Sequence, residues 1–395
     1  MIRSAPVQLS ARASRIGESA TLRITRRVAE LKARGVAVVD LGAGEPDFPS
    51  PEVAVEAARK ALADGFTRYT PGSGLPELRT ALAESCRERY GAPWKAAQSV
   101  VTVGGKAALF EIALALFEEG QEVIVPSPCW VSFPEQIRFA GAEPVLVPSK
   151  GEDGFRIHAG PILDAVTGRT RAILLNSPCN PTGGTVSASD LREIVAEADR
   201  RGILVISDET YERFVYDGGH ASAASLAAGF PETVVLVGSF SKTYAMTGWR
   251  IGYLLGPDEV VRAVEAIQSH ATSNATSFAM VGALAALRHA EPAVQEMVAE
   301  YRARREMLVA KLNGIPGFEF QPPHGAFYAF PRVAGAYRSG LRDSIALSEL
   351  LLEKAAVAVV PGAAFGSDDH IRISFACSRA TLAEGLERIA AVLAG

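Results

Sequence analysis

Short, uninterrupted runs of apolar residues recur through the middle of the chain and alternate with segments of helical periodicity. Runs without alternating polar positions are typical of strands that are covered on both faces. The segments between them, such as 107–118 and 188–201, fit the crossover helices that parallel strands require. The predicted strands lie at 100–103, 122–125, 171–175, 203–206, 234–237 and 251–255. The pattern therefore predicts an α/β fold with a mostly parallel sheet.

The pattern changes after a long helical stretch at 292–312. The apolar runs become shorter and more widely separated, at 318–320, 325–330, 357–360 and 370–375. This change predicts a second, smaller α+β domain that also includes the N-terminal segment. At that end an amphipathic pattern of Leu22, Val28 and Leu31 stops at Gly35, which predicts an ordered arm. The expected division is an N-terminal arm with part of the small domain at 1–45, a large domain at 46–290 and a small C-terminal domain at 291–395.

Composition and charge narrow the class of protein. The 395 residues are 48% hydrophobic and 21% charged, as in ordinary globular proteins. Forty basic residues against 44 acidic ones give a net charge of −4, so neither nucleic acid nor a membrane surface is an expected partner. No apolar run reaches the roughly 18 residues of a membrane span. The four cysteines form no CxxC pair and the six histidines no HxxxH or HxH set, which favours a cytoplasmic protein with reduced thiols and no metal.

The segment 239–250 holds the most informative chemistry. It follows the predicted strand at 234–237 and contains Ser239, Ser241, Lys242 and Arg250. Hydroxyl and guanidinium groups bind phosphate, and a lysine held near a phosphate can form a Schiff base. Pyridoxal phosphate (PLP) needs both functions at once. A solvated surface loop has the same composition, since most Lys and Arg side chains are exposed. The interpretation therefore depends on whether the other groups that PLP requires are present.

The ends of the other predicted strands supply those groups. Ligands of open parallel sheets bind beyond the carboxyl ends of the strands. Different chemical groups follow the strands. They are the glycine turn Gly104-Gly105, the aromatic ring of Trp130, the amide of Asn180, the carboxyl of Asp208 and the phenol of Tyr211. The glycines open a helix whose free N–H groups suit a phosphate. Asp208 would keep a pyridine nitrogen protonated, and the protonated ring stabilises a carbanion at the α-carbon of a substrate. Trp130 could stack on that ring, and Asn180 and Tyr211 could hydrogen-bond its phenolate oxygen.

Each of these residues also has a structural explanation when it is taken alone. Gly104-Gly105 can be a tight turn, Trp130 a core residue and Asp208 a helix N-cap. The segment from Asn180 to Gly183 can be an ordinary turn. These explanations are independent, and all of them would have to hold at once. Their combination in chain order favours a PLP site.

Eight motifs carry a resemblance over nearly the whole chain. They are Gly44-Glu-Pro-Asp-Phe48, Tyr69-Thr-Pro-Gly-Ser-Gly, Val103-Gly-Gly-Lys106, Asn176 to Gly183, Ser207-Asp-Glu, Ser239 to Arg250, Gly325-Ala-Phe-Tyr328 and Arg372-Ile-Ser. Together they resemble the fold-type I, PLP-dependent aminotransferases, and most closely the bacterial branch of aspartate aminotransferases. The resemblance implies reversible, ping-pong transfer of an amino group between an L-amino acid and a 2-oxo acid, with glutamate and 2-oxoglutarate as the second pair.

The resemblance also implies a role for each motif residue. Lys242 is implied to be the Schiff-base lysine and the proton shuttle, Asp208 the partner of the pyridine nitrogen, and Asn180 and Tyr211 contacts of the phenolate oxygen. The implied phosphate cup consists of Gly104, Gly105, Lys106, Ser239, Ser241 and Arg250. Arg372 is implied to bind the substrate α-carboxylate, beside Trp130 and Gly44. Tyr69 is implied to reach the phosphate of a neighbouring subunit, so a homodimer with shared sites is expected.

Substrate choice rests on fewer residues. In the bacterial branch, the site that receives a distal carboxylate has a lysine at the position of Lys106 and hydroxyl residues on the N-terminal segment. Lys106, Ser19 and Thr21 resemble that site, which favours aspartate as the substrate. Aromatic amino acids or prephenate remain alternatives, as does a PLP-dependent lyase on the same fold. Cys129 and Cys179 flank the site residues, and simple packing is expected of both. A ligand-sensing module is disfavoured by the short N-terminal extension, and a dinucleotide oxidoreductase by the lack of GxGxxG after any strand.

Overall fold

The computed structural model describes residues 7–10, 17, 20–338 and 341–394. The strands are β1 (Val39–Asp40), β2 (Ser99–Thr102), β3 (Glu122–Ser127), β4 (Glu143–Pro148), β5 (Thr170–Asn176), β6 (Leu204–Asp208), β7 (Val234–Ser239), β8 (Gly252–Leu255), β9 (Tyr328–Ala329), β10 (Val357–Ala358), β11 (Val360–Pro361) and β12 (Ile371–Ser374). The helices are α1 (Ala20–Ala33), α2 (Glu52–Ala63), α3 (Pro76–Tyr90), α4 (Gly105–Leu116), α5 (Ser132–Ala140), α6 (Ala159–Asp164), α7 (Ala188–Arg200), α8 (Phe240–Thr243), α9 (Asp258–Ala271), α10 (Ser277–His289), α11 (Glu291–Leu312), α12 (Ser344–Leu350) and α13 (Arg379–Ala394).

Seven strands form the central sheet in the order β2-β8-β7-β6-β5-β3-β4. Neighbours from β7 to β4 are parallel, whereas β8 is antiparallel to both β2 and β7. The connection from β7 to β8 contains little more than the single turn α8, too little for a crossover helix, so the chain returns antiparallel. Strands β5, β6 and β7 have fully buried cores, as their continuous apolar runs predict. The predicted α/β fold with a mostly parallel sheet is confirmed.

Strand β4 has no counterpart in the predicted pattern. It lies at the edge of the sheet and pairs only with β3 among the described strands. Only Pro144 and Val147 are buried in it, and its apolar run, Val145 to Val147, is just three residues long between Pro144 and Pro148. An edge strand with one solvated face is therefore missed when continuous apolar runs are the criterion.

The pattern after residue 312 predicts more strand than the structure contains. The run at 318–320 forms no strand, and Glu319 makes only an isolated bridge to Arg332. The run at 325–330 shortens to β9, because Ala326 adopts a left-handed φ of 56° and turns the chain. The run at 357–360 divides into β10 and β11, which belong to different sheets.

Two small sheets complete the architecture. One has the antiparallel order β11-β12-β9, and the other pairs β1 with β10 in parallel, so that Val39 lies opposite Val357. This pairing joins an N-terminal strand to the C-terminal part of the chain. The amphipathic segment at the N-terminal end lies in helix α1, and Gly35 follows it with a φ of 83°. The proposed domain division at 45 and 290 stays a prediction.

The fold determines where a ligand can bind. The carboxyl ends of the parallel strands β5, β6 and β7 meet at one edge of the sheet, where Asn176 lies opposite Asp208, and Asp208 lies opposite Val237, two residues before Ser239. The N-terminus of α4 lies at the same edge, since Gly252 packs directly against Gly105. Across the described ranges, the helices are too short or too polar to span a bilayer.

Candidate active site

Most of the predicted site residues surround one cavity at this edge of the sheet. The cavity has a volume of about 450 Å³. Twelve of the predicted residues line it: Gly44, Gly105, Lys106, Trp130, Asn180, Asp208, Tyr211, Ser239, Ser241, Lys242, Arg250 and Arg372. Segments from five strand ends and from the N-terminal loop after β1 therefore converge on one space.

Lys242 lies in the turn α8, directly after β7. Ser239 caps this turn by accepting a hydrogen bond from the N–H of Ser241 at 3.2 Å. The Lys242 ammonium Nζ donates to the carbonyl oxygen of Gly44 at 2.6 Å. Burial lowers the pKa of Lys242 to about 8, although the nearby carboxylate of Glu45 acts in the opposite direction. An appreciable fraction of this amine is therefore neutral near pH 7–8, as a nucleophile and proton acceptor must be.

Asp208 ends β6 and is 5% exposed. Its Oδ1 accepts a hydrogen bond from the N–H of Thr210 at 3.1 Å. Burial raises the pKa of Asp208 to about 6, and none of the groups that shift this pKa is a basic side chain of the described chain. A buried carboxylate without a cationic partner is costly. This side of the cavity is therefore suited to a ligand group that carries a positive charge.

Arg372 is a buried guanidinium at the other side of the cavity, on β12. Its Nη1 donates to Oδ1 of Asn180 at 2.9 Å, and its Nη2 donates to the carbonyl of Gly42 at 2.7 Å. Its Nε has no hydrogen-bond partner within the described part of the chain. A carboxylate can accept from a guanidinium edge of this kind in a bidentate manner.

Tyr211 and Tyr328 form a buried pair of phenols beside Asp208 and Arg372. Their hydroxyl oxygens are 2.9 Å apart, and the ring of Tyr328 lies 4.4 Å from Cζ of Arg372. Burial raises the pKa of both phenols, so both are neutral at physiological pH. The pair can donate or accept a hydrogen bond at the floor of the cavity.

The third side of the cavity is built for an anion. Gly104 caps the N-terminus of α4 with a φ of 81°, and a Cβ at this position would collide with the guanidinium of Arg250. The α4 N-terminus, Arg250 and the hydroxyl of Ser239 therefore face the same corner. Lys106 is in the first turn of α4, and its Nζ lies 4.7 Å from the ring centroid of Trp130. Burial lowers the pKa of Lys106, and the charge of Arg250 lowers it further.

The other four predicted residues are Gly104, which lies directly before the lining residue Gly105, and Tyr69, Ser19 and Thr21. Tyr69 is 88% exposed on the protein surface. Ser19 lies outside the described residues, as does the side chain of Thr21.

Several cavity residues were given no role from the sequence. Tyr328 lines the cavity through its contacts with Tyr211 and Arg372. Asn176 holds the chain around the site, because its Nδ2 donates to the carbonyl of Asp208 at 3.1 Å and its Oδ1 accepts from the N–H of Asn180 at 2.9 Å. Both residues stand within motifs that carry the family resemblance, so the motifs were the available signal.

The cysteines and a nearby ionic cluster have structural explanations. All four cysteines are free thiols. Burial raises the pKa of Cys129 to about 12 and that of Cys179 to about 11, which is the opposite of what a reactive thiol requires. Ligand atoms of Glu209, Glu212 and His220 lie within 4.8 Å of one another. Their carboxylate oxygens already accept hydrogen bonds, from Ser207, Ala223, His220, Arg89 and Tyr90.

Comparisons with known proteins agree with this geometry. Residues 36–389 match the family model of class I and II aminotransferases. The chain is 42% identical to the aspartate/prephenate aminotransferase of Thermus thermophilus over 98% of both chains. It is 40% identical to the aspartate aminotransferase of Bacillus subtilis over 97% of this chain and 98% of the relative. A solved structure of aspartate aminotransferase from Thermus thermophilus with maleate superimposes with a TM-score of 0.93 at 41% identity, covering 98% of this chain and 100% of that one. The chain therefore belongs to the class I and II aminotransferases, a PLP-dependent family.

Proposed function

We propose that this protein is a PLP-dependent aspartate aminotransferase, with glutamate and 2-oxoglutarate as the second substrate pair. The observation that carries the proposal is the convergence of Lys242, Asp208 and Arg372 on one cavity. An amine of lowered pKa, an unpaired buried carboxylate and a guanidinium are the three groups that amino-group transfer on PLP requires. The relatives named aspartate aminotransferase support the choice of substrate.

The cavity fits PLP by charge and by shape. Asp208 offers a buried negative charge to the ring nitrogen, and the corner formed by α4, Ser239 and Arg250 offers N–H, hydroxyl and guanidinium donors to the phosphate. Trp130 lines the cavity with an aromatic face. When bound, the cofactor supplies an aldehyde that reacts with amines and a ring that accepts the electron pair of the substrate α-carbon.

The residues of the chain hold the substrate and move the proton. Lys242 Nζ lies at the floor of the cavity with a pKa of about 8, so it can accept a proton at one carbon and return it at another. Asp208 would keep the ring nitrogen of the bound cofactor protonated, since an opposite charge favours the charged form. Asn180, which accepts a hydrogen bond from Arg372, and Tyr211 would supply hydrogen-bond donors to the bound cofactor. The buried guanidinium of Arg372 fixes the α-carboxylate of the substrate.

Lys106 is the described residue best placed to bind a second carboxylate. It lines the cavity, and its ammonium group lies over the ring of Trp130 and forms no ion pair with an acidic side chain of the described residues. The structural relative was solved with maleate, a dicarboxylate, which supports a site with two anion-binding groups. We infer that Lys106 distinguishes aspartate from monocarboxylic amino acids.

Steady-state kinetics of Lys106→Ala test this assignment. We expect kcat/KM for aspartate to fall about 10²-fold, because a charge-assisted hydrogen bond contributes about 1.5–3 kcal/mol. The value for alanine, which has no distal carboxylate, should change less than about threefold. The measurement is the amino transfer to 2-oxoglutarate, and turnover should require this acceptor.

The outcomes separate the substrate assignment from the reaction assignment. An unchanged preference for aspartate over alanine would remove Lys106 from the distal site. Turnover without a keto acid would instead indicate a lyase. Prephenate belongs in the acceptor panel, since the Thermus relative is named for it.

We further infer that the chain forms a homodimer in which Tyr69 reaches the partner's cofactor phosphate. Tyr69 is 88% exposed, and its surroundings along the chain include the exposed apolar side chains Leu62 and Phe66. Exposed apolar groups of this kind are typical of an interface. A cytoplasmic location is inferred from the four unpaired thiols.

Replacing Tyr69 with phenylalanine should weaken PLP binding about tenfold in a protein that sediments as a dimer, because a hydrogen bond to a charged phosphate is lost. Equilibrium binding and sedimentation measure the two properties. Tyr337→Phe is the matched control, since its hydroxyl bonds to the carbonyl of Asp368. A monomer with full PLP affinity would contradict the proposal.

A further inference from the structure

Tyr328 joins two parts of the site that no sequence motif connects. It is fully buried and lines the cavity. Its hydroxyl lies 2.9 Å from that of Tyr211, and its ring centroid lies 4.4 Å from Cζ of Arg372. The same side chain therefore contacts the phenol assigned to the cofactor and the guanidinium assigned to the substrate carboxylate.

The direction of the hydrogen bond between the two phenols matters for function. Each hydroxyl has one proton, and burial keeps both phenols protonated. If Tyr211 donated to Tyr328, its oxygen could only accept hydrogen bonds from the cavity. If Tyr328 donates, the Tyr211 proton is free to point into the cavity and to bind an anionic oxygen.

The charge of Arg372 favours the second arrangement. A cation over the face of a phenol makes that phenol the better proton donor, and the charge of Arg372 lowers the pKa of Tyr328 against the effect of burial. At Tyr211, burial and the neighbouring Tyr328 raise the pKa most; the charge of Arg372 lowers it and the negative charge of Asp208 raises it, so Asp208 opposes Arg372 at Tyr211 but not at Tyr328. The contact of the Arg372 guanidinium with the Tyr328 ring, which no carboxylate of the described residues opposes there, favours donation from Tyr328 to Tyr211.

The backbone holds Tyr328 in this position. Strand β9 pairs with β12 and places Tyr328 opposite Ser374. Arg372 lies two residues before Ser374 on β12. The ring of Phe327 packs at 4.8 Å from the ring of Tyr328. A Cβ at Gly44 would come within 3.1 Å of the Tyr328 hydroxyl oxygen, so the glycine leaves the space that this hydroxyl occupies.

We propose that Tyr328 is a positioning residue that directs the proton of Tyr211 into the cavity through its hydroxyl and holds the guanidinium of Arg372 through its ring. The proposal rests on the proposed function, because it assumes that Tyr211 faces the cofactor and that Arg372 binds the substrate. The two parts of the side chain have separate effects, and two substitutions separate them.

The hydroxyl is tested with Tyr328→Phe in the PLP-loaded protein. Donation from Tyr211 stabilises the deprotonated form of the bound cofactor, so weaker donation should raise the pH midpoint of its visible absorbance change. We expect a rise of about 0.5, because a neighbouring bond strengthens a hydrogen bond by only a fraction. Tyr211→Phe should raise the pH midpoint further. The double variant Tyr211→Phe/Tyr328→Phe should have the same midpoint as Tyr211→Phe alone. The titratable groups facing the pair, Arg372, Asp208 and Lys242, are the same in every variant.

The ring is tested with Tyr328→Leu. Loss of the cation–π contact should raise the KM for aspartate about tenfold, whereas Tyr328→Phe should change it less than about twofold. Tyr216→Phe is the control, since it removes a buried hydroxyl that donates to the carbonyl of Ala326 at 2.6 Å outside the cavity lining. Tyr216→Phe should leave both the pH midpoint of the absorbance change and the KM for aspartate at their wild-type values.

Three results would overturn the inference while leaving the aminotransferase assignment intact. The first is an absorbance pH midpoint in Tyr328→Phe that equals the wild-type value. The second is a Tyr328→Phe shift that is as large in the Tyr211→Phe protein as in the wild type. The third is a wild-type KM for aspartate in Tyr328→Leu. A Tyr216→Phe shift as large as that of Tyr328→Phe would also overturn it, because the effect would then be a general one of lost packing. A wild-type protein that gains no visible absorbance with PLP would overturn the proposed function and this inference together.

Discussion

Replacing Lys242 with alanine is expected to abolish turnover and to remove the visible absorbance of the PLP-loaded protein. The Lys242 amine lies in the cavity, 2.6 Å from the carbonyl of Gly44, with its pKa lowered to about 8 by burial. Alanine removes both the nucleophile and the proton carrier, and general acid–base catalysis alone contributes about 10²–10⁴-fold. The expected loss in kcat exceeds about 10⁴-fold, measured with aspartate and 2-oxoglutarate.

Two controls accompany this variant. Lys150→Ala removes an exposed lysine elsewhere on the surface and should retain wild-type kcat and absorbance. Unchanged thermal unfolding of the cofactor-free Lys242→Ala protein shows that the fold persists. An alanine variant that keeps both activity and absorbance would mean that another amine performs the chemistry.

Asp208→Asn is expected to lower activity and raise stability at the same time. Asparagine keeps the shape but removes the charge that holds the ring nitrogen protonated. Removing one partner of a buried charge pair costs about 3–5 kcal/mol, so kcat should fall by about 10²–10⁴-fold. The measurement is single-turnover kinetics with aspartate in the PLP-loaded protein.

The stability of the cofactor-free protein should change in the opposite direction. Burial raises the pKa of Asp208 from 3.8 to about 6, so ionisation of this carboxyl in the folded state is unfavourable. Its contribution to stability is greatest below pH 3.8 and declines as the pH rises towards 6. Above that pH, Asp208→Asn should increase the free energy of unfolding by on the order of 2–3 kcal/mol. Lower stability at pH 8, or unchanged kcat, would contradict the role given to Asp208.

Much of the site could be predicted because its chemistry follows strand ends. Asp208 and Lys242 come directly after buried apolar runs, and parallel strands bring such positions to one edge of the sheet. Gly104 and Arg250 were identified by the same rule, and the structure explains the glycine through the guanidinium that occupies the space of its missing side chain. Local sequence is sufficient where the position of a residue depends only on its own strand.

The parts that escaped prediction depend on contacts between distant segments. Tyr328 acquires its role from Tyr211, 117 positions earlier in the chain, and from Arg372 on the neighbouring strand. Strand β4 is only partly buried because it lies at the edge of the sheet, a position that its own residues do not specify. The antiparallel direction of β8 likewise follows from the short connection after β7 rather than from its apolar pattern.

The most direct test of the account is to locate the covalent attachment of PLP. The PLP-loaded wild-type protein is reduced with borohydride, digested and analysed by peptide mass spectrometry. We expect one reduced cofactor per chain, attached to Nζ of Lys242. Attachment at a different lysine, or a wild-type protein that retains no cofactor after reduction, would contradict it.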